Sequence, residues 1–153
     1  MQVLVVYDSM YGNTEKIAQA IGTATEANVL HVDQVKEEHL TGLDILIVGS
    51  PTQAFQPLKP VKTFLKDLPA GILKGVKVAS FDTRADLEEV GNKLLSFLVK
   101  LFGYAAEPMQ AKLVRKGGVK VTTPAGFFVH GKEGPLKEGE IERAIQWAKQ
   151  LLP

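Results

Sequence analysis

Residues 3–21 read VLVVYDSMYGNTEKIAQAI, and this stretch decides how the rest of the chain is interpreted. The first five residues are all apolar or aromatic, which is typical of a strand buried on both faces of a sheet. From Asn13 onward the apolar residues recur at helical spacing, which predicts an amphipathic helix over Asn13–Thr25. A loop of small and polar residues, Asp8–Thr14, leads from one element into the other. A buried strand that turns directly into a helix is the repeating unit of an α/β domain.

The rest of the chain continues this alternation of short apolar runs and helical patterns. Strands are predicted over Gln2–Tyr7, Val29–Val35, Ile45–Ser50, Val76–Asp82 and Val119–Val129, the last interrupted at Pro124-Ala125-Gly126. Helices are predicted over Asn13–Thr25, Pro60–Leu68, Ala85–Phe102, Ala105–Lys116 and Glu138–Leu152, with a poor helix over Lys36–Gly42. The pattern predicts one domain, residues 1–153, with an α/β doubly wound three-layer sandwich and a five-stranded parallel sheet.

Composition and charge exclude several classes of function. The 153 residues include 18 Lys and Arg against 17 Asp and Glu, so the net charge is +1 and no block of like charge occurs. This balance argues against nucleic acid or an anionic membrane as the main partner. The chain has no cysteine, which excludes disulfides, thiolate catalysis and cysteine-ligated metals. No basic leader precedes the first strand and no apolar run approaches about 18 residues, so we expect a cytoplasmic protein.

The loop after the first strand has the composition of an anion site. Backbone N–H groups at a helix N-terminus carry partial positive charge, and a glycine there allows a ligand to approach the backbone closely. The loop lacks lysine and arginine and matches neither common glycine-rich nucleotide motif, which favours a single phosphate monoester held without metal. The candidate binding residues are Ser9, Met10, Tyr11, Gly12, Asn13 and Thr14. The alternative is a plain strand-to-helix turn capped by Asn13 or Thr14.

Two further loops are expected at the same edge, because the carboxyl ends of parallel strands lie together. The candidates after the third strand are Pro51, Thr52, Gln53, Ala54 and Phe55, and those after the fourth are Asp82, Thr83 and Arg84. An aromatic ring on a proline-stiffened loop suits stacking on a flat ligand, although Phe55 folded back under its loop is the alternative. Asp82 or Thr83 as the cap of the next helix is the alternative for the later loop.

The stretch VVYDSMYGNTEKIAQAI, followed by GSPTQAF and FDTR at the next two loops, resembles the flavodoxin family. The resemblance implies strand order 2-1-3-4-5 and binding of FMN, with the phosphate at Ser9–Thr14 and the ring between Pro51–Phe55 and Asp82–Arg84. It also implies an electron-transfer protein that meets a reductase and an acceptor transiently, as a monomer or weak dimer. It implies no catalytic side chain and no metal. Arg84 near the ring would stabilise an anionic reduced flavin.

This chain departs from the family pattern in two ways that matter for function. Most flavodoxins are strongly acidic, whereas this chain is balanced, so we expect a less negative reduction potential than is usual for them. The third loop also lacks the family's stacking tyrosine, and Tyr104 lies further along the chain. The main alternative is an NAD(P)H–quinone oxidoreductase on the same fold. A flavin-free binding module is a weaker one, and a response-regulator receiver lacks its acidic pair.

Several single residues are predicted to have no functional role. His31, His39 and His130 are not spaced as metal ligands, and Trp147 on the last predicted helix is expected to pack in the core. Lys132, Lys137 and Arg143 are mixed with glutamates, which favours a solvated surface.

Overall fold

The strand Val3–Tyr7 (β1) is buried along its whole length near the middle of a parallel sheet. The computed structural model describes residues 1–153. The other strands are β2 Asn28–His31, β3 Ile45–Pro51, β4 Lys77–Ala85, β5 Val119–Lys120 and β6 Ala125–Val129. The helices are α1 Asn13–Thr25, α2 Lys59–Asp67, α3 Leu87–Val90, α4 Lys93–Phe102, α5 Ala106–Arg115 and α6 Glu140–Lys149. None of these helices is long and apolar enough to cross a membrane.

The sheet order is β2-β1-β3-β4-β5, which confirms the predicted topology. β6 also pairs with β4, so β5 and β6 share the fifth position of the sheet. β5 pairs with the start of β4 and β6 with its end, through Phe81–Ala85. The interruption was predicted at residues 124–126 but falls at 121–124, because Ala125 and Gly126 already pair with β4.

Two apolar clusters hold the helices against the sheet, one on each face. The first joins α1 and α6 to the sheet and is centred on Ile17, Ile47 and Phe127, all 0% exposed. Trp147 belongs to it and packs edge-on against Phe81 and Phe127, which confirms its predicted packing role. The second cluster lies under α2 and α5. Helices on both faces leave only the strand ends open, so the loops at the carboxyl edge form the accessible surface.

Two strand boundaries differ from the prediction. β2 ends at His31, and Val32–Gln34 forms a 3₁₀ turn in which Gln34 Oε1 accepts a hydrogen bond from the His31 N–H at 3.3 Å. β4 continues to Ala85 because Phe81–Ala85 pair with β6, and Phe81–Thr83 also pair with β3. Asp82 and Thr83 are therefore strand residues, and the alternative in which one of them caps the next helix is wrong. Asp86 caps α3 instead, accepting from the Glu88 N–H at 2.9 Å.

The single helix predicted over Ala85–Phe102 is also wrong. Gly91, at φ +68°, ends α3, and the Asn92 side chain starts α4 by accepting from the Leu95 N–H at 3.0 Å. The apolar stripe of this segment does not face the core. α4 contributes no buried residue, and Leu94 and Leu101 are 66% and 63% exposed. The helical periodicity identified the right secondary structure, but a large part of its apolar face remains open to solvent.

Candidate functional site

A small cleft lies at the carboxyl edge of β1, β3 and β4, where the three predicted loops meet. Its volume is about 90 Å³. The residues around it are Met10, Tyr11, Asn13, Thr14, Pro51, Thr52, Gln53, Thr83, Arg84, Ala85, Val129 and Lys132. The structure therefore brings together most of the residues that the sequence singled out, from three separate parts of the chain.

The wall formed by the N-terminus of α1 presents free hydrogen-bond donors. The first helical N–H that pairs within the chain is that of Lys16, which donates to the Gly12 carbonyl at 3.2 Å. The backbone N–H groups of Asn13 and Thr14 have no acceptor in the chain, and neither have those of Met10 and Tyr11. Gly12 sits at φ +90°, and a Cβ added there would meet nothing within 4 Å. Free N–H groups around an open glycine form a concave site for an anion.

The polar side chains of this loop mainly hold its shape. Ser9 Oγ accepts from the Gly12 N–H at 3.0 Å and keeps its own hydroxyl proton free to donate. Asn13 Nδ2 donates to the Glu133 carbonyl at 2.8 Å, which ties the loop to the segment after β6. The hydroxyls of Thr14 and Thr83 lie 2.8 Å apart and are buried, which ties it to β4. These contacts fix the direction of the backbone N–H groups of the loop. Gly12 has no side chain, so a ligand can approach those N–H groups closely.

The end of β4 carries a tight ion pair. Arg84 donates from Nε and Nη2 to the two carboxylate oxygens of Asp82, both at 2.7 Å. The Asp82 side chain is 0% exposed and also accepts from the Ala106 N–H at 2.9 Å. Burial raises the pKa of Asp82, although the bonds from Arg84 and Ala106 oppose that rise. The guanidinium carbon of Arg84 lies 3.6 Å from the ring centre of Tyr104, so the side chain is held on both sides.

Phe55, predicted to stack on a flat ligand, lies outside the cleft. Its ring packs on Phe102 with 5.5 Å between centroids, on the far side of the loop. The turn that carries it has two residues in the left-handed region, Ala54 at φ +48° and Phe55 at φ +68°. Gln53 and Gln56 close this turn with two backbone hydrogen bonds of 2.8 and 3.0 Å.

Four other predicted site residues do not line the cleft itself. Ala54 lies beyond the cleft, and Asp82 is buried beneath it. Ser9 and Gly12 support its rim.

The sequence analysis missed three residues of the cleft: Ala85, Val129 and Lys132. Lys132 was predicted to belong to a solvated face, but it lies in the connection after β6 that folds back over the α1 N-terminus. Lys137 and Arg143 form ion pairs with Asp86 and Glu140. Arg143 is exposed as predicted, whereas Lys137 is half-buried and Glu140 is buried, so this face is less solvated than predicted. The position of Lys132 just beyond the end of a strand was the available signal. No group of three or more metal-ligating side chains occurs in the structure.

Fold and cleft together define a class of protein: a doubly wound α/β domain with free backbone N–H groups in the loop after its first strand. A family model for the flavodoxin domain matches residues 4–116, which is most of the chain. The chain belongs to the flavodoxin domain family, whose members bind FMN.

Individual relatives agree with this assignment. A flavodoxin of Aquifex aeolicus (strain VF5) is 36% identical over 73 residues, which cover 44% of this chain and 40% of that protein. The structure of oxidised flavodoxin 1 from Bacillus cereus superposes with a TM-score of 0.77 and 18% identity, covering 99% of this chain and 97% of that one. A flavodoxin from the domain Archaea gives a TM-score of 0.75 and 20% identity, covering 99% and 96%. At these identities, the two structures show a common fold.

The donors in the cleft fit the phosphate of FMN. A phosphate monoester needs several hydrogen-bond donors, and the free N–H groups of residues 10–14 supply them. Lys132 adds a positive charge at the same cleft, and no carboxylate lines it. The residues of the cleft therefore fit the phosphate of FMN.

Proposed function

We propose that this protein binds FMN in the cleft and carries electrons one at a time between two redox partner proteins. The observation that carries the proposal is the set of unpaired backbone N–H groups at residues 10, 11, 13 and 14, which surround the open Gly12. When bound, FMN supplies an aromatic ring that takes up and releases single electrons. The protein supplies the binding site and the electrostatic surroundings of that ring.

Each part of the site has its own task in this proposal. The N–H groups of Met10–Thr14, with the Ser9 hydroxyl, hold the phosphate, and the helix dipole of α1 favours its charge. The Lys132 ammonium offsets the second negative charge. Pro51–Gln53 on one side and Thr83 and Arg84 on the other hold the ring at the mouth of the cleft. The Arg84 charge is already paired with Asp82, which reduces its effect on a reduced, anionic ring. A redox titration of the bound flavin measures that effect.

No histidine and no carboxylate lines the cleft, and these are the side chains that most often act as general acid or base. The polar lining of the cleft consists of hydroxyls, amides, Arg84 and Lys132. A carrier needs no proton donor of its own, whereas a hydride-transferring enzyme must also bind a nicotinamide and an acceptor over the ring. This contrast supports the carrier function.

The test is reconstitution followed by two activity measurements. The purified protein, incubated with FMN and desalted, is expected to retain flavin absorbance in the near-ultraviolet and blue. The reduced protein is then expected to pass single electrons to a one-electron acceptor. It is also expected to show no substantial turnover of NADH with a quinone. Retained flavin with rapid NADH–quinone turnover would contradict the carrier function, and no retained flavin would contradict FMN binding.

A further inference from the structure

A groove larger than the cleft lies beside it, between α2 and α5. Its volume is about 890 Å³. The loop that follows β3 separates it from the cleft, and Gln53 lines both. A molecule seated in this groove therefore lies next to the mouth of the proposed FMN site.

The floor of the groove is apolar and partly aromatic. Leu65 and Met109 form its buried base, 2% and 0% exposed. Phe55 and Phe102 pack together along one side, and Phe102 remains 61% exposed. The strained turn at Ala54 and Phe55 is what directs the Phe55 ring into this groove. A half-buried Phe55 on a strained turn, packed against the exposed Phe102 of α4 next to a proposed redox site, is typical of a recognition surface.

The rim of the groove is positively charged. Lys59, Lys62 and Lys66 follow one another at helical spacing on α2, and Lys112 comes from α5. All four are exposed, none forms an ion pair, and no carboxylate lines the groove. Lys66 and Lys112 lie in the last turns of their helices, where the helix dipole favours a cation. Like charges at this spacing on a helix reduce its stability slightly, so folding gives no reason for Lys59 and Lys62 beside Lys66.

We propose that this groove docks an acidic redox partner, which places an apolar side chain on Phe55 and Phe102 and carboxylates against the four lysines. The inference rests on the proposed function, because the partner is one of the two proteins that exchange electrons with the bound flavin. The apolar floor supplies the contact area and the lysine rim supplies steering and orientation. Because Gln53 lines both the groove and the cleft, a docked partner would lie close to the mouth of the cleft.

Charge complementarity distinguishes this occupant from a second copy of the chain. A symmetric dimer through the groove would set the lysine rim of one copy against the same lysines of the other. That repulsion disfavours self-association, whereas an acidic protein gains from every lysine. Complementary charge mainly raises the association rate, and it does so most at low ionic strength.

The probe for the experiment is a plant-type [2Fe–2S] ferredoxin, a small and strongly acidic one-electron protein, and basic cytochrome c is the opposite-charge control. Binding is mapped by amide chemical shifts of the labelled protein at low salt, with and without FMN, so that it does not depend on flavin content. Stopped-flow then follows transfer of one electron from the reduced ferredoxin cluster, which is oxidised, to the bound FMN, which is reduced.

The test variant is the double charge reversal Lys62→Glu/Lys112→Glu. The matched control is Lys120→Glu/Lys149→Glu, two exposed lysines without hydrogen-bond or ion-pair partners, on β5 and α6. A third variant, Phe102→Ala, removes an exposed aromatic anchor without touching the core. Melting temperature and FMN binding are measured for each variant, so that a failure of folding or of the flavin site is seen separately.

The proposal predicts ferredoxin-induced shifts at the groove. It also predicts at least about a tenfold loss of association rate in the Lys62/Lys112 variant at low salt, less than about a twofold loss at high salt, and little change in the control. Phe102→Ala is expected to weaken binding at both salt concentrations. Shifts elsewhere on the surface would overturn the proposal, as would equal loss in the control, preference for cytochrome c, dimerisation through the groove, or stronger binding to anionic lipid vesicles.

Discussion

Arg84 and Asp82, two residues apart on β4, form a bidentate ion pair with both hydrogen bonds at 2.7 Å. Alternate residues of a strand point to the same face, which is why the pair forms within one strand. Gly126 on the neighbouring β6 makes room for it, because a Cβ there would lie 2.0 Å from the guanidinium carbon. The pair therefore fixes the end of β4, from which Thr83 and Arg84 reach the cleft.

Replacing Arg84 with alanine is expected to destabilise the protein by about 3–5 kcal/mol near neutral pH, because it leaves the buried Asp82 carboxylate without its counterion. Denaturant unfolding monitored by circular dichroism measures this loss. The double variant Asp82→Asn/Arg84→Ala buries no charge and is expected to recover part of the lost stability. A loss below about 1 kcal/mol for Arg84→Ala would show that the pair is not structural.

The destabilisation by Arg84→Ala is expected to depend on pH. Burial already raises the folded-state pKa of Asp82 above its ordinary 3.8, and loss of Arg84 raises that pKa further. The folded variant then holds a proton that the unfolded chain releases, so its stability falls as the pH rises above 3.8. The difference from the unmodified protein is expected to be larger at about pH 7.5 than at about pH 5. A difference that is constant with pH would contradict this explanation.

Gly12→Ala tests the phosphate loop. The change forces a side chain into the left-handed region at φ +90° without any clash, so we expect a stability loss of about 1–2 kcal/mol. Gly71→Ala is a matched control, because Gly71 lies at φ +76° in equally open space, between α2 and β4. The two variants are expected to lose similar stability, but only Gly12→Ala is expected to weaken FMN binding in a fluorescence titration. Equal FMN affinity in both would argue against this loop as the phosphate site.

His31 is expected to make stability depend on pH near neutrality. Its Nε2 lies 2.9 Å from Asp8 and its Nδ1 2.5 Å from Asp33. Burial lowers the pKa of His31, but the bonds to Asp33 and Asp8 outweigh this and raise the pKa above 6.5. The folded state thus holds the proton more tightly, and the stabilisation is fully present below pH 6.5 and lost as the pH rises through the raised pKa.

The measurement compares urea unfolding of the unmodified protein and His31→Gln at about pH 5.5 and about pH 9. The variant is expected to be less stable at the lower pH and nearly equal at the higher one. His39→Gln is the control, since His39 has no carboxylate partner. A larger effect of His31→Gln at the higher pH would contradict a raised pKa of His31 in the folded state.

Ala54→Gly tests the strain in the turn that carries Phe55. Alanine at φ +48° costs about 1–2 kcal/mol of stability, and glycine removes that cost. Glycine also makes the unfolded chain more flexible, which offsets a smaller part of the gain. We expect a net gain of about 0.5–1 kcal/mol in thermal or urea unfolding. Ala70→Gly, at an exposed position with ordinary φ, is expected to lose stability instead. Destabilisation of both variants alike would show that the turn is not strained.

The parts of the fold that could be predicted from the sequence are those in which local pattern and burial agree. β1 and α1 are such a case, since a run buried on both faces precedes a helix with one apolar stripe. The α3–α4 segment shows the opposite situation. Its stripe of leucines predicted core packing, yet Gly91 and Asn92 divide the helix and Leu94 remains exposed. Hydrophobic periodicity reports helix geometry and does not reveal what covers the apolar face.

The candidate site also has parts that could be predicted from the sequence and parts that could not. The loop at residues 9–14 could be predicted because its donors are local in sequence. The partners of the other residues are distant: Asn13 is held by Glu133, Thr14 by Thr83, and Arg84 packs on Tyr104. The direction of Phe55 depends on the left-handed turn at Ala54, for which the sequence gives no glycine signal. Lys132 joins the cleft only through the fold of the connection after β6.

The central claim is that free backbone donors at the α1 N-terminus hold the phosphate of FMN. Isothermal titration of the flavin-free protein with FMN and with riboflavin, which lacks the phosphate, tests it most directly. Hydrogen bonds to a charged group contribute about 1.5–3 kcal/mol each, so two of them predict FMN binding at least about a hundredfold tighter than riboflavin, weakened by added inorganic phosphate. Equal binding of the two flavins, or no binding of FMN, would contradict the claim.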